Sequence, residues 1–388
     1  MSWPIVELGS VVSFVGGSQP PKSTFKFEPE DGYVRLLQIR DYKSDKNLTF
    51  IPESSTKKFC KKDDVMIGRY GPPVFQILRG LEGAYNVALM KAVPSEKVDK
   101  DYLYYFLKQD KLFRLIDGLS QRTAGQSGID MDALKSYPML LPPLEEQKRI
   151  AAILDKADAI RQKRKQAIDL ADEFLRSVFL DMFGDPVTNP KGWGVRKLQD
   201  LTSKLGSGST PRGGKEAYLS AGISLIRSLN VHDNTFIYKD LAFISNEQAE
   251  KLKNVVVQEQ DILLNITGAS VCRCTMVPSN VLPARVNQHV CIIRVDRALL
   301  LPEFAKRLIT STSFKQMLMR IATSGGATRE ALTKQQAENL TLIVPPMELQ
   351  KKFCDIVGKV LDIDTKTNKQ VAFPLFDSLS QKAFSGQL

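Results

Sequence analysis

Cysteine, histidine and tryptophan are all scarce in this chain, at five, two and two among 388 residues. The cysteines (Cys60, Cys272, Cys274, Cys291, Cys354) are odd in number and scattered, which argues against a secreted disulfide framework. With only His232 and His289 available, a histidine-based triad would have to be built from one of those two, and nothing around Ser224 or Ser270 resembles a strained nucleophile turn. No apolar run approaches the ~20 residues a membrane helix needs. Met1–Glu7 lacks the charged start and apolar core of a signal peptide, so a cytoplasmic location without membrane partners is expected. What remains is ordinary globular composition, 43% hydrophobic and 25% charged, in a length that allows two or three domains.

The net charge of +11 is unevenly placed. Residues 145–183 are neutral and residues 348–388 carry only one excess positive charge. Residues 1–144 hold 20 basic and 17 acidic side chains, and residues 184–347 hold 20 and 13. A basic surplus confined to the two longer segments points to a polyanion partner, most simply nucleic acid.

Those two segments repeat one another. Trp3, Leu8 and the turn-rich run Gly16-Gly17-Ser18-Gln19-Pro20-Pro21-Lys22 have counterparts 190 residues on, in Trp193, Leu198 and Gly206-Ser207-Gly208-Ser209-Thr210-Pro211-Arg212. Val34-Arg35 matches Ile226-Arg227 at an offset of 192, with Gln38 on Asn230 and Asp41 on Asp233. Asp64–Ile67 matches Asp261–Leu264, Gly71 matches Gly268, and Asn86 matches Asn287. Leu141-Pro142-Pro143-Leu144-Glu145-Glu146-Gln147-Lys148 closes the first unit as Val344-Pro345-Pro346-Met347-Glu348-Leu349-Gln350-Lys351 closes the second, at an offset of 203. A duplicated domain with loop insertions produces such an ordered, slowly drifting series.

Within each unit, short β-branched runs predict strands (Tyr33–Ile39, Val65–Ile67, Val87–Val93; Ile223–Leu229, Ile262–Ile266, Val290–Val295). Helical periodicity follows over Asp101–Leu119 and Pro302–Ile321. Strands followed by helices, without strict alternation, give an α+β domain. After the double proline, residues 145–183 contain neither Pro nor Gly. Ile150, Ile153, Ala157, Ile160, Ala167, Ala171, Phe174 and Val178 fall on a and d positions of a heptad, with Leu154, Ile168, Leu175 and Met182 beside them. At ~1.5 Å per residue this predicts a rod of about 58 Å. A weaker copy carries Phe353, Ile356, Val360, Ile363, Thr367, Val371 and Leu379, with an interruption expected at Pro374. The expected architecture is two duplicated α+β globular domains (1–144 and 186–346) separated by two long helices (145–185 and 347–388) that form an antiparallel coiled coil.

Catalytic constellations are hard to assemble. Ser209-Thr210-Pro211-Arg212-Gly213-Gly214-Lys215-Glu216 imitates a phosphate-binding loop, but has Ser for its first Gly and Glu for the metal-binding hydroxyl. The Pro-Pro pairs at 72–73, 142–143 and 345–346 lack the Asn and aromatic of an amino-methyltransferase loop. Cys272-x-Cys274 and His289-x-Cys291 offer four zinc-type ligands. The C-x-C spacing is unusual for zinc, however, and the first unit manages without them, so core cysteines and no metal are expected.

Binding is what remains. Side chains suited to base edges or phosphates fall in predicted loops and strand ends: Ser18, Gln19, Lys22, Arg35, Gln38, Arg40, Arg69, Tyr70, Arg122 and Gln126 in the first unit. The second unit offers Ser207, Ser209, Thr210, Arg212, Arg227, Asn230, Thr267, Asn287, Gln288 and Arg329. Any one of these is equally a solvated surface residue, and Asn86 and Asn287 suit a turn cap as well as a base.

With its repeat, double prolines and long helices, the chain resembles the specificity subunit of type I restriction–modification systems over nearly its whole length. The resemblance rests on Leu141-Pro142-Pro143-Leu144-Glu145-Glu146-Gln147-Lys148-Arg149-Ile150 running into a helix that ends Met182-Phe183-Gly184-Asp185, on Trp193, and on the closing Ala383-Phe384-Ser385-Gly386. It implies two target recognition domains, each reading half of a bipartite double-stranded DNA sequence. It further implies helices that set the gap and dock modification (methyltransferase) subunits through residues such as Ile150, Ile153, Ala157, Ile160, Phe174, Val178, Ile356 and Val360. The chain itself would be a non-catalytic subunit with no cofactor, S-adenosylmethionine belonging to the modification subunit and cleavage to a restriction/translocase subunit. A stand-alone bipartite DNA-binding regulator is the alternative, and it would need no docking surface on its helices.

Overall fold

The computed structural model describes residues 3–71, 73–120, 128–211, 213–324, 330–368 and 373–388, without the side chains of Lys215 and residues 363–375. The chain divides into two compact units, Met1–Lys165 with Gln370–Leu388, and Gln166–Lys369.

Each unit is built on one strand that is buried at every position. In the first, Val65–Gly68 is buried throughout. Alternation sends Val65 and Ile67 into a core shared with helices and Met66 into a second core with Leu37, Tyr85 and Leu89. In the second unit, Ile262 and Leu264 face the helices while Leu263 faces Leu225, Ile226 and Val286. A strand buried on both faces reads as a continuous hydrophobic run because neither face meets water.

Around it the first unit forms an antiparallel sheet in the order Val12–Gly16, Leu89–Pro94, Val65–Gly68, Gln76–Leu78. A mixed sheet follows the order Phe50–Pro52, Tyr33–Leu37, Gly83–Tyr85, Phe59–Cys60, with Tyr33–Leu37 parallel to Gly83–Tyr85. The second unit repeats both, as Thr202–Ser207, Val290–Val295, Ile262–Asn265, Cys274–Met276 and as Ala242–Ile244, Ile223–Ile226, Ala284–Val286, Val256–Val257. The α+β expectation and the duplication both hold.

Two local expectations change. Each predicted post-sheet helix is two helices, Lys100–Leu107 with Asp110–Ser120 and Pro302–Ile309 with Thr312–Thr323. In the second unit the hydroxyls of Thr310 and Ser311 donate to the carbonyls of Lys306 and Leu308, which closes the first helix. The repeat register near Arg35 also shifts by three residues. The Asn86 N–H donates to Leu37, and that of Asn287 donates to Ile226. The turns that follow are closed by Asp41 accepting from the Gln38 N–H and by Asn230 accepting from the Arg227 N–H. Gln38, not Arg35, is therefore the counterpart of Arg227, and Asp41 that of Asn230. A shared hydrophobic-Arg dipeptide was too short to fix the alignment.

The central helix runs unbroken from Leu144 to Phe183, 40 residues. It stops at Gly184, whose φ of +74° disfavours a side chain and where a Cβ would fall 2.7 Å from the Pro190 ring. In the first unit Arg149 donates to the Leu388 carbonyl and Arg161 lies over the Phe376 ring, so the two helical segments run antiparallel there. The second helical segment is described as Met347–Asn368 and Phe373–Phe384; the interruption expected near Pro374 falls partly on residues 369–372, outside the described residues.

The buried stripe departs from the a/d assignment. Ile150 and Ala157 are buried, Ile153, Val178, Ile356 and Val360 only partly, while Ile160 (46% exposed) and Phe174 (52%) face outward. The large apolar side chains enclosed are Ile150 and Leu154, then Leu175, Phe179 and Phe183, with Phe353 and Val357 opposite the latter. That i,i+4 spacing faces the cores of the globular units, whereas a 3.5-residue seam would have tracked a partner helix. Polar ties accompany the packing: Arg79 reaches Asp155 at 2.9 Å in the first unit, and the nearly buried Arg307 reaches Asp172 at 2.7 Å in the second.

Candidate nucleic-acid interface

Three loops meet at one end of the antiparallel sheet in each unit. In the first unit the chain leaves Val12–Gly16 through Gly17, where a Cβ would lie 2.1 Å from the Asn86 carbonyl oxygen and 2.5 Å from that of Tyr85. Only glycine fits so close an approach. Ser18 N–H then donates to Tyr85 at 3.2 Å, and its hydroxyl bonds Thr56. Gln19 follows, with its amide near the Pro20 carbonyl. Arg69 N–H donates to the Ala88 carbonyl, its guanidinium to the Val87 carbonyl, and the same guanidinium lies 5.3 Å from the Tyr70 ring centre. Ser18, Gln19, Arg69 and Tyr70 are thus brought into one neighbourhood.

The second unit repeats that frame with other side chains. Gly208 occupies the tight spot, a Cβ there falling 1.8 Å from the Val286 carbonyl oxygen. Ile266 N–H donates to the His289 carbonyl as Arg69 does to Ala88. Thr210, Gln288, His289 and Thr267 form one hydrogen-bonded string across the three loops. Ser207 and Ser209 flank Gly208. Asn86 and Asn287 do the same work in both units. Each is buried and accepts, through its Oδ1, the N–H two residues on (Ala88, His289) at 3.1 Å, which holds the intervening Val87 or Gln288 outward. They are turn formers, so Asn287 is withdrawn from the base-contacting side chains.

Several other candidates are held by partners outside these three loops. Arg35 pairs with Asp45 at 2.7 Å, Gln38 donates to Thr49, and Arg40 donates to the Asn47 carbonyl. Arg227 donates to the Asp240 carbonyl and lies 5.1 Å from the Tyr218 ring centre. Asn230 has no exposed surface, and its amide donates to Ile237 and Lys239; a residue so enclosed cannot meet a base edge. Lys22 is exposed on a short turn. Arg122, Gln126, Arg212 and Arg329 lie outside the described residues.

The cysteine–histidine cluster does not converge. Cys274 and Cys291 flank Leu264 from opposite neighbouring strands, about 10 Å apart at the usual strand spacing. Burial pushes the thiols of Cys272 and Cys291 up to about 12, and His289 turns to Thr267. Among the described residues no group of three or more His, Cys, Asp or Glu could hold a metal. His289, weighed in the sequence as a triad member and as a zinc ligand, belongs to the loop cluster instead. Its position two residues after the turn-forming Asn287 was the available signal.

Two α+β domains on one backbone frame, each exposing its own set of polar side chains, define a duplicated recognition protein. A family model described as type I restriction modification DNA specificity domain matches residues 2–170 and again 190–372, and the chain belongs to that family. Its role is DNA sequence specificity in a restriction–modification complex. It is 21% identical over 391 residues to the type I restriction enzyme MjaVIII specificity subunit of Methanocaldococcus jannaschii, covering 95% of this chain and 89% of that one. Against the EcoKI specificity subunit of Escherichia coli it is 21% identical over 438 residues, covering 100% and 89%. The crystal structure of a type I S subunit from M. genitalium shares the fold, with TM-score 0.60 at 14% identity over 99% of this chain and 96% of that one. Specificity subunits of this family bind DNA in complex with other restriction–modification subunits and are generally non-catalytic. Among the described residues no helix is long and apolar enough to cross a membrane.

Proposed function

We propose that each globular unit reads one half of an asymmetric, bipartite sequence in double-stranded DNA, through the loop cluster at the end of its antiparallel sheet. One observation carries this reading: the frames match, from Gly17 to Gly208 and from Asn86 to Asn287, while the exposed positions differ. Arg69, Tyr70 and Val87 stand where the second unit has Ile266, Thr267 and Gln288. Identical readers would require a palindrome, whereas unlike readers on one scaffold suit a split, asymmetric site.

The chain supplies sequence reading and no methyl transfer. S-adenosylmethionine and the flipped base belong to modification subunits docked on the central helix, where Ile160, Leu170 and Phe174 are exposed. A restriction/translocase subunit completes the assembly. Methylation mapping of DNA from cells expressing this chain with its modification subunits should return a two-part asymmetric motif. A single uninterrupted or palindromic motif would overturn the proposal, and failure to co-purify with a methyltransferase would favour a stand-alone regulator.

A further inference from the structure

Gln288 is exposed, yet its amide is held at both ends. Its Oε1 accepts from the Thr210 hydroxyl, and its Nε2 faces Nε2 of His289 at 3.2 Å. The other ring nitrogen, Nδ1, meets the Thr267 hydroxyl. An amide nitrogen only donates, so the ring Nε2 must accept. A neutral imidazole that accepts at one nitrogen carries its proton on the other, so Nδ1–H donates to Thr267. The string therefore runs one way, from Thr210 through Gln288 and His289 to Thr267.

Hydroxyls rotate, so the reverse string is also complete. Thr267 would then donate to Nδ1, the ring Nε2–H to Oε1 of Gln288, and the amide nitrogen to Thr210. With a neutral ring, any mixed state sets donor against donor or acceptor against acceptor. Amide orientation and imidazole tautomer are consequently locked together. Each orientation leaves Gln288 one free N–H and one free oxygen lone pair, in opposite order along the surface. An adenine edge likewise presents an acceptor (N7) beside a donor (N6), in an order that reverses when the pair is turned end for end.

We propose that His289 is a positioning residue that pins the Gln288 amide in place, and so sharpens base preference at one position without touching the base. This rests on the reading of the loop cluster as the DNA-facing surface. The first unit has Ala88 at the matching place and Val87 in front of it, so the device belongs to one half-site alone.

The test uses the full chain assembled with its modification subunits on a randomised duplex DNA library, with methylation read at every position. Gln288→Ala identifies the position that Gln288 reads, where a bidentate contact gives roughly a five- to hundredfold preference. His289→Leu removes the bond that holds the amide in place, and preference at that same position should fall about fivefold or more. Every other position, in both halves, should stay as sharp as in the parent. Thr267→Val, which removes only the far hydroxyl, should produce a smaller shift at the same position and covers the case in which His289→Leu fails to fold. If Gln288→Ala abolishes a preference that His289→Leu and Thr267→Val leave intact, His289 does not position it. An even loss at all positions makes His289 merely structural and also overturns the proposal. Should Gln288→Ala itself leave all positions unchanged, the loop cluster is not the reading surface, and the proposed function fails with it.

Discussion

Gln147 and Gln350 make the same three hydrogen bonds in the two units, each from a fully buried side chain. The Oε1 of Gln147 accepts from the Asp99 N–H at 2.8 Å, and its Nε2 donates to the carbonyls of Lys97 and Pro142. The Oε1 of Gln350 accepts from the Leu301 N–H at 2.9 Å, and its Nε2 donates to Leu299 and Pro345. One side chain thus joins the turn before a domain helix to the double proline that opens the long helix. Gln147→Leu would strand an N–H and two carbonyls in the interior, at about 1–3 kcal/mol each. The first unit should lose about 3 kcal/mol or more, and Gln350→Leu should do the same to the second. Each unit holds one of the chain's two tryptophans, Trp3 and Trp193, so denaturant unfolding followed with the other replaced by Phe separates the effects. Equal destabilisation of both units by Gln147→Leu alone would count against this account.

Replacing Gly208 by Ala forces a Cβ against the Val286 carbonyl, so the loop carrying Ser209 and Thr210 must move. Discrimination in one half of the DNA site is expected to weaken by about tenfold or more, as a lost base contact costs ~1–3 kcal/mol. Gly17→Ala should do likewise in the other half. Competition binding with duplexes altered in one half at a time reads the difference, and unaltered discrimination would remove the loops from the reading surface.

The thiols offer a chemical check on the fold. Cys60, Cys272, Cys274 and Cys291 are buried, and burial raises the first to about 11 and Cys272 and Cys291 to about 12. At pH 8 a thiol at 11 is roughly 0.1% thiolate. Iodoacetamide should leave these four unlabelled in the native protein and modify all five cysteines after unfolding, as counted by intact-mass measurement. Rapid native labelling of Cys274 or Cys291 would contradict their enclosure.

Leu170 and Phe174 are 65% and 52% exposed on the central helix. Substituting both with Ser should change stability by less than ~0.5 kcal/mol each, as for ordinary surface positions. Co-purification with the modification subunits should nevertheless fall. Undiminished co-purification would move the docking surface elsewhere.

The duplication, the α+β units and the long helix were legible because each rests on local pattern: β-branched runs, a Pro- and Gly-free stretch, and a repeated junction motif. The faces of the helix were less legible. Phe174 and Leu175 are adjacent and both apolar, and only the globular core against which Leu175 packs decides between them. Arg35 and Arg227 looked equivalent because two-residue matches recur by chance, while the turns that fix the true register depend on hydrogen bonds to Asp41 and Asn230. Ser18, Thr210, Thr267 and Gln288 were found as residue types suited to DNA. Their meeting, and the part of His289 in it, depends on backbone contacts such as Ile266 to His289 that no spacing announces.

Because Asn86 and Asn287 close their turns through their own side chains, the residue that follows each is displayed at a set height whatever it is. Val87 and Gln288 occupy the same place in matching turns. Lineages of such proteins could therefore acquire new vocabulary one letter at a time, with no cost to the scaffold that carries it.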